Sequence, residues 1–392
     1  MLRRGVTILL GMLVLSLNSQ SSIESILNTI EVNNKEIAAY SKYVHAKSLE
    51  IQSGLNPDNP FISTDYMNGR PASGGNQLDV LVSQSVEFPT TYIHKKAIAN
   101  QKVEILENEY QDLKRTILGE ARNLCIDLIS LQKRKEILDT RLKLTDSLLS
   151  KFQLKYSLGE ISLLDLNKVN SQRIKIISSS EQVKSQTLSA LLKLKEMNGG
   201  IEIVFDVNEF SQSAIDLSKE ALLDSIKSNS FKIKSLEQQQ QMDEQNISLR
   251  KSQSLPDFEI GYHHQSVLGQ TFNGAHFGIS IPIWEHKNEI KTAKAYSEFH
   301  DTELEEFNVT QESELEILYS RYLSLNNTLK QYKLVLNDNN TEELLNQSYE
   351  QGDINLITYI MELEYIYSLQ DDFISIENEF QLVMSQLTIY KL

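Results

Sequence analysis

The sequence predicts a mainly α-helical chain with a small β part, built as a tandem duplication whose two copies each carry a pair of short strands on long coiled-coil helices. Three observations predict it. Setting Gly159 against Gly352 gives an offset of 193 that also matches Tyr156 with Tyr349, Ile161 with Ile354, Leu163 with Leu356 and Pro89 with Pro282. No proline occurs between Pro89 and Pro256, and in that run Tyr110, Ile117, Leu124, Leu131 and Leu138 recur every seventh residue, as do Leu142, Leu149 and Tyr156. That spacing is the signature of helices packed as coiled coils. Before each long helix, "LDVLVSQSVEF" and "ISIPI" alternate apolar with small or polar residues, the pattern of half-buried strands.

Composition limits the function classes. Of 392 residues, 40% are apolar and 23% charged, ordinary for a folded chain and unlike collagen, a disordered protein or a polytopic helical membrane protein. A net charge of -15 argues against nucleic acid as a partner, since neutralising phosphates requires clustered Lys and Arg. The single cysteine, Cys125, leaves no intramolecular disulfide to form and reads as a small buried apolar residue.

Residues 1–20 read as a secretory signal: Arg3 and Arg4, an apolar stretch from Val6 to Leu17, then the small residues "NSQSS". Twelve apolar residues are short of the roughly 20 that span a bilayer. No cysteine follows to carry a lipid, so the sequence predicts an exported chain whose membrane role, if it has one, rests on strands.

The first copy, 21–199, opens with a helix from Ile23 to Gln52, stopped by Gly54 and "NPDNP". A strand pair follows over 61–88, around the loop "NGRPASGGNQ". The long helix over 90–157 would extend roughly 100 Å at 1.5 Å per residue, and a return helix occupies 162–198. Residues 200–228, with "IEIVFDVNEF" and a short helical stretch from Leu217 to Ser228, have no helical partner of comparable length and are expected to form an equatorial collar. The second copy, 229–392, repeats the plan: a helix, a strand pair over 257–282, a long helix over 284–350 and a return helix over 355–390. Near its start "NSFKIKSL" echoes "NNKEIAAY" at a slightly different offset, 196.

The second hairpin suggests its own register. With Gly269-Gln270 as a type II′ turn, Phe258 faces Ile281, Ile260 faces Ile279 and Tyr262 faces Phe277, an apolar set suited to lipid. The other face would pair Glu259 with Ser280, Gly261 with Gly278 and His263 with His276, which suits a wet lumen. His263 and His276 are thus expected as lumen-facing neighbours, with Phe258, Tyr262 and Phe277 outward.

Four strands with open edges cannot sit in lipid, where every backbone group must be paired, and the smallest barrels need about eight. Several chains must pool their strands; three give twelve, with the helices forming an α-barrel below. The alternative is a structural or adhesive coiled-coil protein of the periplasm or cell surface, with two ordinary hairpins.

"SGLNPDNP", "VSQSVEFPTTY", a long helix to "YSLGEISLLDL", and a second copy with "ISIPIW" and "YEQGDI" together resemble the TolC family of outer-membrane efflux channels, particularly its Bacteroidetes members. The resemblance covers nearly the whole mature chain. It implies a homotrimer with a twelve-stranded barrel in outer-membrane lipid and a helical barrel crossing the periplasm. It also implies a periplasmic membrane-fusion adaptor docked on the helical tips and an inner-membrane exporter, proton-driven or ATP-driven, that supplies the energy.

At the tips a reversing helix needs a residue that accepts positive φ, and Gly159 and Gly352 occupy that place. The family pattern puts an apolar residue before the glycine for adaptor contact; Leu158 fits it and Gln351 departs from it. Family members also place aspartates just beyond the turn as rings that narrow the mouth. Asp165 matches in the first copy, whereas Thr358 holds the matching place in the second and Glu362 is the nearest acid further on; Glu160 and Asp353 lie in the turns themselves. An acid at the first turn of a helix also simply stabilises its N-terminus.

His263, His264, His276 and His286 fall within 24 residues, yet lack the i, i+4 spacing or Cys/His companions of strong metal sites, and read as polar lumen residues. No Ser/His/Asp set, phosphate-cradling glycine loop or HExxH occurs. The sequence predicts no catalysis, cofactor or metal.

Overall fold

A computed structural model of the chain describes residues 22–70, 75–210, 218–284, 286–336 and 341–391, so the expected signal segment 1–20 lies outside the described residues. The elements in order are α1 (Ile23–Asn33), α2 (Lys35–Ser53), β1 (Phe61–Asn68), β2 (Asn76–Val86), α3 (Pro89–Ser157), α4 (Leu163–Met197), α5 (Lys219–Asn229), α6 (Phe231–Gln253), β3 (Asp257–Val267), β4 (Gln270–Ser280), α7 (Glu289–Leu336), α8 (Thr341–Gln351) and α9 (Leu356–Leu387). At 69 residues, α3 extends about 100 Å. It is bordered by α2, α4, α6 and α9, while α7 packs on α6 and α9. Connectivity puts the four strands at one end of these helices and the reversals from α3 to α4 and from α8 to α9 at the other.

The duplication is visible in the core. Ile26, Ile30 and Ile37 are buried, as are Leu222, Ile226 and Ile233 at the offset of 196; Ala190 and Leu194 are matched by buried Val383 and Leu387 at 193. Each set belongs to its own apolar cluster midway along the helices, the first also taking in Cys125, Leu128 and Ile129 of α3, the second Leu315 of α7. Fully burying such side chains contributes about 1.5–3 kcal/mol apiece.

Three expectations are corrected here. The helix expected from Ile23 to Gln52 is two helices, broken at Asn34. The Asn34 side chain accepts from the N–H groups of Glu36 and Ile37, both at 2.9 Å, and donates to the Met197 carbonyl at 2.8 Å. The second copy breaks at the matching residue, Ser230, whose Oγ accepts from the Ile233 N–H at 3.3 Å. The expected collar over 200–228 therefore divides: α5 is the counterpart of α1, equal to it at 11 residues, and the irregular segment 201–210 packs Ile203, Phe205 and Phe210 on the first core cluster. Finally, the long helix expected over 284–350 begins at Glu289 and is described as α7 and α8, with 337–340 outside the description. Its late start follows from Pro282 and from Asn288, which has φ 71 and so cannot extend the helix backward.

The sheet is antiparallel in the order β1-β2-β3-β4. In the second hairpin the turn residues are Leu268 and Gly269, both at positive φ (53 and 81), as a type I′ turn requires, and not the expected Gly269-Gln270. Phe258 therefore faces Ile279, Ile260 faces Phe277 and Tyr262 faces Ala275; His263 faces Gly274 and His276 faces Gly261. The two histidines share a face but are not direct partners. The Leu268 side chain lies over Gly75, at the end of the neighbouring hairpin's loop. Moving each partner by two residues leaves the faces unchanged, because side chains alternate with period two.

Candidate functional site

The two helical reversals share one geometry. After α3, Gly159 takes φ 77, its N–H donates to the Tyr156 carbonyl at 3.0 Å, and the Glu160 N–H reaches back to Lys155 at 2.9 Å. After α8, Gly352 takes φ 83, with the Gly352 N–H on Tyr349 at 3.2 Å and the Asp353 N–H on Ser348 at 2.9 Å. Both are helix C-termini closed by a left-handed residue, with the orphan carbonyls satisfied. A Cβ at either glycine would meet no heavy atom within 4 Å, so glycine is needed there for its φ and not for space.

The next helices start with matching caps and different chemistry. Ser162 and Asp165 form a reciprocal box: the Asp165 N–H donates to Ser162 Oγ at 3.2 Å, while the Ser162 hydroxyl and N–H donate to Asp165 Oδ2 at 2.6 and 3.3 Å. The hydroxyl's hydrogen bond holds the Asp165 carboxyl below its ordinary range. In the second copy Asn355 Oδ1 accepts from the N–H and hydroxyl of Thr358 at 3.0 and 3.3 Å. Thr358 thus stands in Asp165's structural place without its charge. Glu160, Asp353 and Glu362 are exposed and form no ion pair among the described residues.

Around the turns the first copy leaves Leu154, Leu158, Leu163 and Leu164 exposed, Leu158 by 64%. The second presents Gln351, Ile357 and Met361. Behind them the hairpins are locked by one apolar cluster in which Phe152 and Val169 of the first meet Leu356, Tyr359, Leu363 and Tyr367 of the second. Tyr349 stacks between Phe152 and Tyr359, at ring-centroid distances of 6.1 and 4.9 Å. Ion pairs join the same hairpins at the surface, Lys151 to Glu350 and Lys175 to Glu364, each at 3.1 Å.

Sequence reasoning missed the strongest of these links. Arg141 of α3 is buried, with Nη1 on the Asp371 carboxylate at 2.9 and 3.1 Å and Nη2 on the Tyr367 carbonyl and Gln370 Oε1, both at 2.9 Å. Its guanidinium lies 4.2 Å from the centre of the Tyr367 ring. The available signal was a cation beside a seven-residue stripe, since Leu138, Thr145 and Phe152 are all buried and Arg141 falls between the first two.

The sheet has two unlike faces. One carries Ile62 and Tyr66 of β1, Leu78, Val80, Val82 and Val86 of β2, Phe258, Ile260 and Tyr262 of β3, and Phe277 and Ile279 of β4. Most of these are exposed, Phe277 by 79%. The other carries Ser63, Asp65, Asp79, Ser83, Ser85, Glu259, His263, Gln265 and His276 with three glycines, together with the apolar Phe61, Met67, Leu81, Val267 and Phe272. There His263 Nε2 contacts Asp79 Oδ1, Gln265 donates to Asp79 Oδ2 at 3.4 Å, and His276 Nε2 lies 3.9 Å from Glu259. His264 is on the apolar face, bonded to Asn273 at 2.6 Å, and His286 lies beyond the sheet against Glu289 at 3.1 Å. Among the described residues no three His, Cys, Asp or Glu side chains group to hold a metal, and no helix is long and apolar enough to cross a membrane.

No protein-family model and no curated protein matches the chain. Solved structures do. The outer-membrane channel OprN is similar with a TM-score of 0.79 at 12% identity, over 94% of this chain and 89% of that one. The outer membrane protein VceC from Vibrio cholerae gives 0.76 at 11% identity, over 94% and 95%. The Campylobacter jejuni CmeC outer membrane channel gives 0.73 at 12%, over 94% and 85%. The likeness spans almost the whole chain and establishes the fold: long duplicated helices with four strands per chain, as the resemblance to the TolC family implied.

Proposed function

We propose that the chain is a passive outer-membrane conduit, active as a homotrimer whose twelve strands close a barrel in lipid and whose helices form a tube into the periplasm. The observation that carries this reading is the two-faced sheet. Its apolar face leaves many large side chains exposed, and the outer edges of β1 and β4 pair with no other strand among the described residues. Pooling strands edge to edge removes the open edges, turns the apolar face to lipid and encloses the polar face. The shared fold with outer-membrane channels supports the same location.

The reversals at the far end are the periplasmic mouth in this reading, and Leu158, Gly159, Gln351 and Gly352 form the docking surface for a membrane-fusion adaptor linked to an inner-membrane exporter. The exposed leucines of the first tip make it the larger apolar contact. Glu160, Asp353 and Glu362, exposed and without an ion pair among the described residues, are the acids placed to line the mouth, while Asp165 is held in its cap. Full-length protein should extract only with detergent, run as a trimer and give unitary conductances in planar bilayers. A monodisperse soluble rod with no conductance would instead identify a structural coiled-coil protein.

A further inference from the structure

The polar face of the sheet has a charge composition of its own. The four strands contain neither Lys nor Arg. On this face stand four carboxylates, Asp65 of β1, Asp79 of β2, and Asp257 and Glu259 of β3, and among the described residues of the strands the groups there able to become cationic are His263 of β3 and His276 of β4. Asp65 sits directly opposite Asp79 across the β1–β2 ladder, an arrangement of like charges that destabilises a strand pair. From the third strand, His263 contacts Asp79 on its far side. His276 stands in a similar diagonal relation to Glu259, with Gly261 and Gly278 leaving room around the pair. The four side chains remain partly exposed, at 43% for His263, 20% for Asp79, 35% for His276 and 40% for Glu259, so each can meet a passing solute.

We propose that this face is a pH-responsive charge filter: with the imidazoles neutral the pore wall is anionic and favours cationic solutes, and protonation of His263 and His276 lowers that charge and weakens the preference. The proposal rests on the reading that the polar face lines an aqueous pore. The charged groups facing the imidazoles are Asp79 and Glu259, with Asp65 and Asp257 further along the same face; His264 points to the opposite face and takes no part. Histidine is the side chain whose charge changes between about pH 5 and 8, a range in which ordinary carboxylates stay ionised. Three symmetry-related copies would concentrate the effect in one belt, where a low-dielectric wall focuses the field.

The test is the reversal potential of full-length channels in planar bilayers under a KCl gradient, read at about pH 8 and about pH 5.5. The wild type should lose cation over anion permeability by about twofold or more on acidification. His263→Gln with His276→Gln should hold the alkaline selectivity at both values, and Asp79→Asn with Glu259→Gln should show weak selectivity at both. His264→Gln should follow the wild type. If the paired histidine substitution compromises assembly, each single variant should remove part of the response; retention of the full response by both overturns the filter. A double variant that conducts and still follows the wild type overturns the filter and leaves the channel standing, whereas absence of any wild-type conductance overturns the pore reading and the filter with it.

Discussion

Gly159 and Gly352 each sit at positive φ with open space around the missing Cβ. Replacing either with valine therefore places its Cβ in open space but forces an L side chain into the left-handed region, at about 1–2 kcal/mol. That cost is confined to a glycine at which a Cβ would touch no other part of the chain, so trimers should assemble in detergent while export through the adaptor fails; normal export by both variants would displace docking from the tips. Asp165 behaves differently. Its carboxyl is depressed by the Ser162 hydrogen bond, so its contribution to stability is complete above the ordinary aspartate value near about 4 and disappears as pH falls through the lowered one. Asp165→Asn should slightly lower the melting temperature at neutral pH and leave conductance unchanged, whereas raised conductance would make Asp165 a gating acid. Burial pushes the Cys125 thiol up to about 12, which makes it inert to thiol reagents in the folded chain. Labelling of native protein at neutral pH should accordingly be negligible, and rapid labelling would show that α3 opens there.

Among the elements, what the sequence disclosed and what it withheld have separate physical causes. Heptads, the matched glycines and the alternating strands are local patterns, legible because helix and strand periods are written into neighbouring residues. The break at Asn34 was not legible, since it is stabilised by the Met197 carbonyl 163 positions away. Nor was the turn at Leu268-Gly269, since it puts a leucine at φ 53, where local preference expects glycine or asparagine. The faces survived that error because it was of two residues; an error of one would have inverted them. At the tips the sequence marked the glycines and the acids but could not show that Asp165 is occupied by Ser162, nor that Arg141 joins the hairpins. Arg141→Ala leaves Asp371 without its cation and removes bonds to Tyr367 and Gln370, at about 3 kcal/mol. Since the pair ties α3 to α9 on the side of the helical reversals, which we propose to be the mouth, the variant should lower thermal stability and raise conductance; loss of stability with unaltered conductance would confine Arg141 to a packing role.

At the scale of the whole molecule, long helices and a small sheet have opposite surface chemistry. The helices carry ion pairs and polar faces fit for the periplasm, and the sheet presents aromatic and aliphatic side chains outward without a lysine or arginine among them. Ile281, Ile283 and Trp284 continue that exposed apolar surface beyond β4, Trp284 by 82%, where an indole fits the interfacial girdle of a barrel. The proposed membrane placement and pore rest on one claim, that the apolar face of the sheet meets lipid while the polar face meets water. Its most direct measurement is thiol labelling of single-cysteine variants in reconstituted vesicles with Cys125 replaced by serine. His263→Cys and His276→Cys should react with a membrane-impermeant reagent, and Ile260→Cys and Ile279→Cys should not. Labelling of the second pair alone would invert the faces, and equal labelling of all four would contradict placement of this sheet in a membrane barrel.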